Sequence, residues 1–139
     1  MTTTNVLRVA VVNDFELIVR GVAGMLSPFH DRVQVVELDV QSNPDVRVDI
    51  ALFDTYGHPR GGVDRIRSLA GEPRVGAVVV YTWELPAGQT DALIAAGARG
   101  VLAKSTPPDV LADAFATIAS GEIVISRSEE RRVGKECRL

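Results

Sequence analysis

Cysteine is almost missing from this chain: Cys137 is the one example among 139 residues. A single cysteine excludes an intrachain disulfide and a thiolate zinc cluster. Aromatic residues are scarce too, at 5%, so a buried core must be built from aliphatic side chains. No apolar run approaches the ~18 residues that cross a bilayer. The start, Met1-Thr2-Thr3-Thr4-Asn5, lacks the basic patch and apolar stretch of a signal peptide. These absences point to a cytoplasmic protein without membrane association. Hydrophobic residues at 46% and charged residues at 24% fit a globule and exclude a disordered or collagen-like chain. The length is room for one domain.

Neither charge sign dominates, but the charge is unevenly spread. The last thirteen residues, Arg127 to Leu139, carry five basic and three acidic groups, net +2. Of the chain's 15 basic and 18 acidic residues this leaves 10 and 15 in the first 126, net −5. An acidic body argues against broad nucleic-acid binding, which needs Lys and Arg to neutralise phosphates. The tail Arg127-Ser128-Glu129-Glu130-Arg131-Arg132-Val133-Gly134-Lys135-Glu136-Cys137 has too few apolar residues to bury a face. It resembles translated sequencing-adapter read-through, and 127–139 are set apart as a non-native or disordered tail. On that reading the cysteine is foreign. A natural charged linker is the alternative, and a basic nucleic-acid patch a weaker third.

Along the first 126 residues, apolar strands alternate with helical patterns. Val6 to Val12 is a β-branched run stopping at Asn13-Asp14, which reads as a buried strand. Ile18, Val22, Met25 and Leu26 form one helical face, ended by Ser27-Pro28. Further strands are expected at Val33–Leu38, Asp49–Phe53, Val75–Tyr81 and Gly100–Ala103. Val63, Ile66, Leu69 and Ala70 mark a helix closed by Gly71, and Gln89 to Ala96 another stopped by Gly97. The last helix is expected to start with Thr106 as N-cap and Pro107 at its first position. Its apolar face is Leu111, Ala114, Phe115 and Ile118.

Five apolar strands alternating with helices predict an α/β fold: a doubly wound, five-stranded parallel sheet of (βα)5 flavodoxin-like form, strand order 2-1-3-4-5. Only Asp39 to Val48, broken by Pro44, separates the second and third strands. A crossover usually takes about a dozen residues, so the second helix is expected to be shortened.

Ligands and reactive groups in such sheets gather outside the carboxyl ends of the strands. Here those ends are Asn13-Asp14, Asp54, Thr82 and Lys104. Paired carboxylates beside loop carbonyls suit a hard cation such as Mg²⁺. A carboxylate held by that cation can accept a phosphoryl group, with Lys104 pairing the incoming charge and Thr82 donating a hydrogen bond.

In these residues the chain resembles the receiver domain of bacterial two-component response regulators, over Val6 to Glu122. Val11-Val12-Asn13-Asp14 with Leu17 to Gly21 is similar to the family's acidic turn and first helix. Asp49 to Asp54 is similar to its phosphoacceptor strand. Val79 to Thr82 and Gly97 to Lys104 match the Thr and Lys segments in order and spacing. Pro107 to Glu122 looks most like the branch that carries a C-terminal LuxR-type helix-turn-helix.

The resemblance implies Asp54 as phosphoacceptor, assisted by Thr82 and Lys104. It implies Mg²⁺ held by Asp14, Asp54 and the Tyr56 carbonyl, with Asn13 contributing weakly through water. The donor would be a sensor histidine kinase. Phosphorylation would switch the surface of the fourth helix, fifth strand and fifth helix, which commonly forms a homodimer. DNA would be reached only through a C-terminal domain missing here, making the chain the N-terminal part of a truncated transcription regulator. The chain is then a signalling domain and no enzyme beyond self-phosphorylation and self-dephosphorylation.

Several residues depart from the family pattern. Asn13 replaces the first acid of the usual pair, Trp83 stands where a small residue is preferred, and Val101 where a switch aromatic often sits. Ser105 replaces a frequent proline, and Pro59 lies one place late. These motivate an alternative, a phosphorylation-independent pseudo-receiver that acts as an interaction module. Trp83 reads either as a pocket plug or as a partner-facing anchor. His58 reads as a solvent-exposed loop residue, and His30 and both methionines as structural. A nucleotide- or flavin-binding enzyme is disfavoured, because Asn13-Asp14-Phe15-Glu16 is acidic and lacks glycines to approach phosphate.

Overall fold

A computed structural model describes residues 6–12, 16–37, 47–54, 62–83 and 89–125. Its elements in chain order are β1 (Leu7–Val12), α1 (Glu16–Leu26), a 3-10 turn (Ser27–Phe29), β2 (Val33–Glu37) and β3 (Val48–Asp54). Then come α2 (Val63–Ala70), β4 (Val75–Thr82), α3 (Gln89–Ala96), β5 (Ala98–Ala103), α4 (Pro108–Ala119) and β6 (Val124–Ile125). All strand pairs are parallel, in the order β2-β1-β3-β4-β5-β6.

The expected order 2-1-3-4-5 is therefore present and extended by one strand. Val124 and Ile125 pair with Gly100 and Val101 after α4 has crossed back over the sheet. Two residues fall below the length at which alternation marks a strand, so the sequence pattern stopped short of them. The shortened helix expected between β2 and β3 would fall on residues outside those described, as do residues 127–139.

The strands are continuous apolar runs because both faces are covered. One face packs Val9, Val11, Ile50, Leu52 and Val79 beneath α1 and α4, through Val22, Leu26, Leu111 and Phe115. The other packs Ala10, Ala51, Phe53 and Val80 beneath α2 and α3, through Ile66, Leu69 and Leu93. Met25 is half-buried against the first core, whereas His30 is exposed and donates its backbone N–H to Ser27.

Three local features set the geometry. Gly97, between α3 and β5, has φ of 123°, and a Cβ there would lie 2.6 Å from the Ala70 Cβ. Only glycine tolerates both the left-handed backbone and that approach of α2. At the next step, Val78 pairs with Ala98 but Val79 pairs with Gly100. Arg99 is thus an extra residue in β5, and its guanidinium donates to the Gly121 carbonyl at 2.7 Å. The third concerns the start of α4, where the N-cap is Pro107 rather than Thr106. Pro108 follows it and forces Pro107 out of the helical region, to φ −62° and ψ 152°. Helical geometry then begins at Pro108, with the Pro107 carbonyl accepting the first bond from Leu111 at 2.8 Å. Thr106 is buried instead of capping.

Candidate functional site

The carboxyl edge of the sheet is where Asp54, Thr82 and Lys104 come together. Register places Asp54, the last residue of β3, directly beside Tyr81 of β4. Thr82, the last residue of β4, lies beside Ala103 of β5. Its carbonyl accepts the Lys104 backbone N–H at 2.8 Å, which ties the lysine to the end of β4.

The Lys104 Nζ lies 2.8 Å from Asp54 Oδ1, and the two side chains are only 8% and 1% exposed. A charge-assisted bond of this length in a low-dielectric setting is strong. The same burial makes either charge costly alone. The other carboxylate oxygen, Oδ2, is buried as well.

Two aromatic rings complete the surroundings of the ammonium. Lys104 Nζ lies 5.9 Å from the Tyr81 ring centre and 5.3 Å from that of Trp83. Both fall within cation–π range. Tyr81 is buried, whereas Trp83 is 68% exposed. Burial pushes the Tyr81 hydroxyl above the ordinary tyrosine value, and the neighbouring Asp54 charge adds to the rise. An anionic phenolate would be both desolvated and repelled there.

Of the residues singled out in the sequence, the structure brings Asp54 and Lys104 into contact and joins Thr82 to Lys104 through the backbone. Asn13, Asp14, Tyr56, His58 and Pro59 lie outside the described residues. Val101 is fully buried in the core beneath α2 and α3. Trp83 is largely exposed and its ring stands beside the site, 5.3 Å from Lys104 Nζ. The sequence reading missed Tyr81. Aromatics at positions i and i+2, either side of the strand-end Thr82, carried the signal, since alternate strand residues share a face.

The edge can do one kind of chemistry plainly. A buried carboxylate faces an ammonium that can neutralise a second anion arriving at the same oxygen.

The chain is 29% identical over 129 residues to a nitrate/nitrite response regulator protein homolog of Haemophilus influenzae, covering 88% of this chain and 61% of the relative. It is 29% identical to the nitrate/nitrite response regulator protein NarP of Escherichia coli, covering 86% and 58%. The crystal structure of a LuxR family DNA-binding response regulator from Silicibacter pomeroyi superposes with a TM-score of 0.70 at 28% identity, covering 88% of this chain and 99% of that one. The chain is similar to response regulators and shares the receiver fold. No family model matches it.

The chain spans about 60% of the length of the curated relatives it matches. The agreement in fold extends to more distant receivers, such as that of a response regulator NarL from Mycobacterium tuberculosis, with a TM-score of 0.66 at 21% identity. No helix among the described residues is long and apolar enough to cross a membrane.

Proposed function

We propose that this receiver accepts a phosphoryl group on Asp54 from the phosphohistidine of a sensor histidine kinase. The buried Asp54–Lys104 pair carries the reading. Asp54 is the carboxylate at the end of the central strand, where ligands of such sheets gather. An Asp54 oxygen attacks phosphorus, the bond to the imidazole nitrogen breaks, and the imidazole departs with that electron pair. Lys104 stays beside the oxygen it already holds and pairs with the added negative charge. The Thr82 hydroxyl hydrogen-bonds a phosphoryl oxygen.

The donor set suits Mg²⁺: carboxylate oxygens of Asp54 and Asp14 and the Tyr56 carbonyl are hard ligands, with Asn13 acting weakly through water. When bound, the ion offsets repulsion between the carboxylate and the incoming phosphoryl oxygens. The new charge then biases the surface formed by α3, β5 and α4, the family's fourth helix, fifth strand and fifth helix, toward homodimerisation. On this reading the receiver occupies residues 1–126, and 127–139 are a non-native or disordered tail. It belongs to a truncated, cytoplasmic transcription regulator whose DNA contacts lie in a further C-terminal domain. Its own chemistry goes no further than self-phosphorylation and self-dephosphorylation.

A second reading, a pseudo-receiver acting as a constitutive interaction module, draws support from the 68% exposed Trp83 beside the site and from Val101 in the switch position. Incubation with Mg²⁺ and acetyl phosphate or beryllofluoride, read by intact mass and Trp83 fluorescence, decides between them. Phosphorylation predicts a Mg²⁺-dependent change in the wild type and none in Asp54→Asn. No change in the wild type, or an equal one in the variant, favours the pseudo-receiver.

A further inference from the structure

We infer that Trp83 is a positioning residue: with Tyr81 it clamps the Lys104 ammonium against Asp54, and it thereby sets how fast Asp54 captures a phosphoryl group. The rate consequence rests on the function proposed above; the clamp itself rests on geometry alone.

Tyr81 and Trp83 are two residues apart, so an extended strand end presents them on one side. Lys104 Nζ lies close to both ring centres, at 5.9 and 5.3 Å, while bonded to Asp54 Oδ1 at 2.8 Å. A long lysine stem ordinarily samples many rotamers, and fixing it carries an entropic cost. Here its ammonium faces a carboxylate and two π-systems, and its side chain is 8% exposed although it follows the end of β5. The two rings differ in role. Tyr81 is buried and fixed by the core, so it forms the wall. Trp83 is the exposed ring and the nearer one, so it forms the removable cover. An ammonium already held over the carboxylate need not be gathered from solution as the phosphoryl group arrives, which is the general benefit of preorganised charge.

The indole is mostly in solvent, so replacing it leaves the core intact. Two arms test the proposal on the full chain. In the first, nuclear magnetic resonance reads the Lys104 ε-methylene protons without any phosphodonor. They are expected upfield of ordinary lysine through the ring currents, to move back toward the ordinary position in Trp83→Leu, and to stay upfield in Trp83→Phe. In the second arm, the rate of Mg²⁺-dependent phosphoryl uptake from acetyl phosphate is expected to fall ~2- to 30-fold in Trp83→Leu, the range of a single cation–π contact. Trp83→Phe is expected to restore most of it. Unmoved Lys104 resonances in Trp83→Leu overturn the clamp. Moved resonances with an unchanged or faster uptake overturn the positioning role. Absence of uptake in the wild type overturns the phosphoacceptor reading and the rate effect with it, while the resonance arm still decides the clamp.

Discussion

Lys104 and Asp54 meet at 2.8 Å, with both side chains almost fully withdrawn from solvent. A pair in that position owes its worth to mutual neutralisation, because each charge alone would be desolvated without compensation. Replacing Lys104 by Met keeps most of the length of the stem and strands the carboxylate. The expected cost is about 3–5 kcal/mol of unfolding free energy. The double variant Asp54→Asn, Lys104→Met, which removes both charges, should recover most of that loss. Urea denaturation of wild type, both single variants and the double variant measures the coupling. A Lys104→Met variant as stable as wild type would show that the pair contributes nothing.

The Tyr81 hydroxyl provides a pH signature. Its folded pKa lies above the ordinary 10.0, through burial first and the Asp54 charge second. Between those two values the unfolded chain has lost the proton that the folded chain keeps, so stability falls as pH rises. The contribution is therefore fully present below the ordinary value and lost as pH climbs toward the raised one. Tyr81→Phe should abolish this alkaline decline while preserving the ring. In a Tyr56→Phe background Tyr81 is the chain's sole tyrosine, so its phenolate absorbance titrates alone. Asp54→Asn should lower that midpoint only partly, since burial is the larger cause.

Gly97 makes a two-part prediction. Alanine there must adopt a φ of 123° and bring its Cβ to 2.6 Å from that of Ala70. Gly97→Ala should destabilise the fold by at least ~1–3 kcal/mol from backbone strain, with the clash adding to it. Ala70→Gly in the same chain relieves the clash and leaves the strain, so only part of the loss should return. Full recovery in the double variant, seen in denaturant midpoints, would rule out the backbone component.

Phe115 is buried on the α4 face above the sheet, among Val9, Leu52 and Leu111. Phe115→Ala removes a large apolar side chain and leaves a cavity that strands on one side and helix on the other cannot close. A loss of about 3–5 kcal/mol is expected, with an unchanged denaturant dependence. A loss below ~1 kcal/mol would indicate that α4 collapses onto the sheet.

Much of this was legible in residue order. A strand covered on both faces has to be apolar throughout, so Val9 to Val12, Ile50 to Phe53 and Ala77 to Val80 announce themselves locally. Asp54, Thr82 and Lys104 each stand at the end of such a run, which is why strand ends alone singled them out. Tyr81 was legible in principle, from its place two residues before Trp83, but it passed as the end of an apolar strand. β6 was not legible, because two residues carry no period.

Residue order sets the parallel sheet, the two covered faces and the residues available at the carboxyl edge. Periodicity is local, and burial on both faces follows from it. Tertiary structure alone decided which of those residues face one another. The extra residue Arg99 shifts β5 so that Leu102 lies beside Tyr81. Paired residues of neighbouring strands point to the same side, so this shift sets Lys104 on the side of Tyr81 and Asp54. Without it, alternation would turn the lysine to the opposite face. Side-chain direction reverses with every single-residue slip, and the pairing between strands is fixed by packing rather than by the composition of either strand.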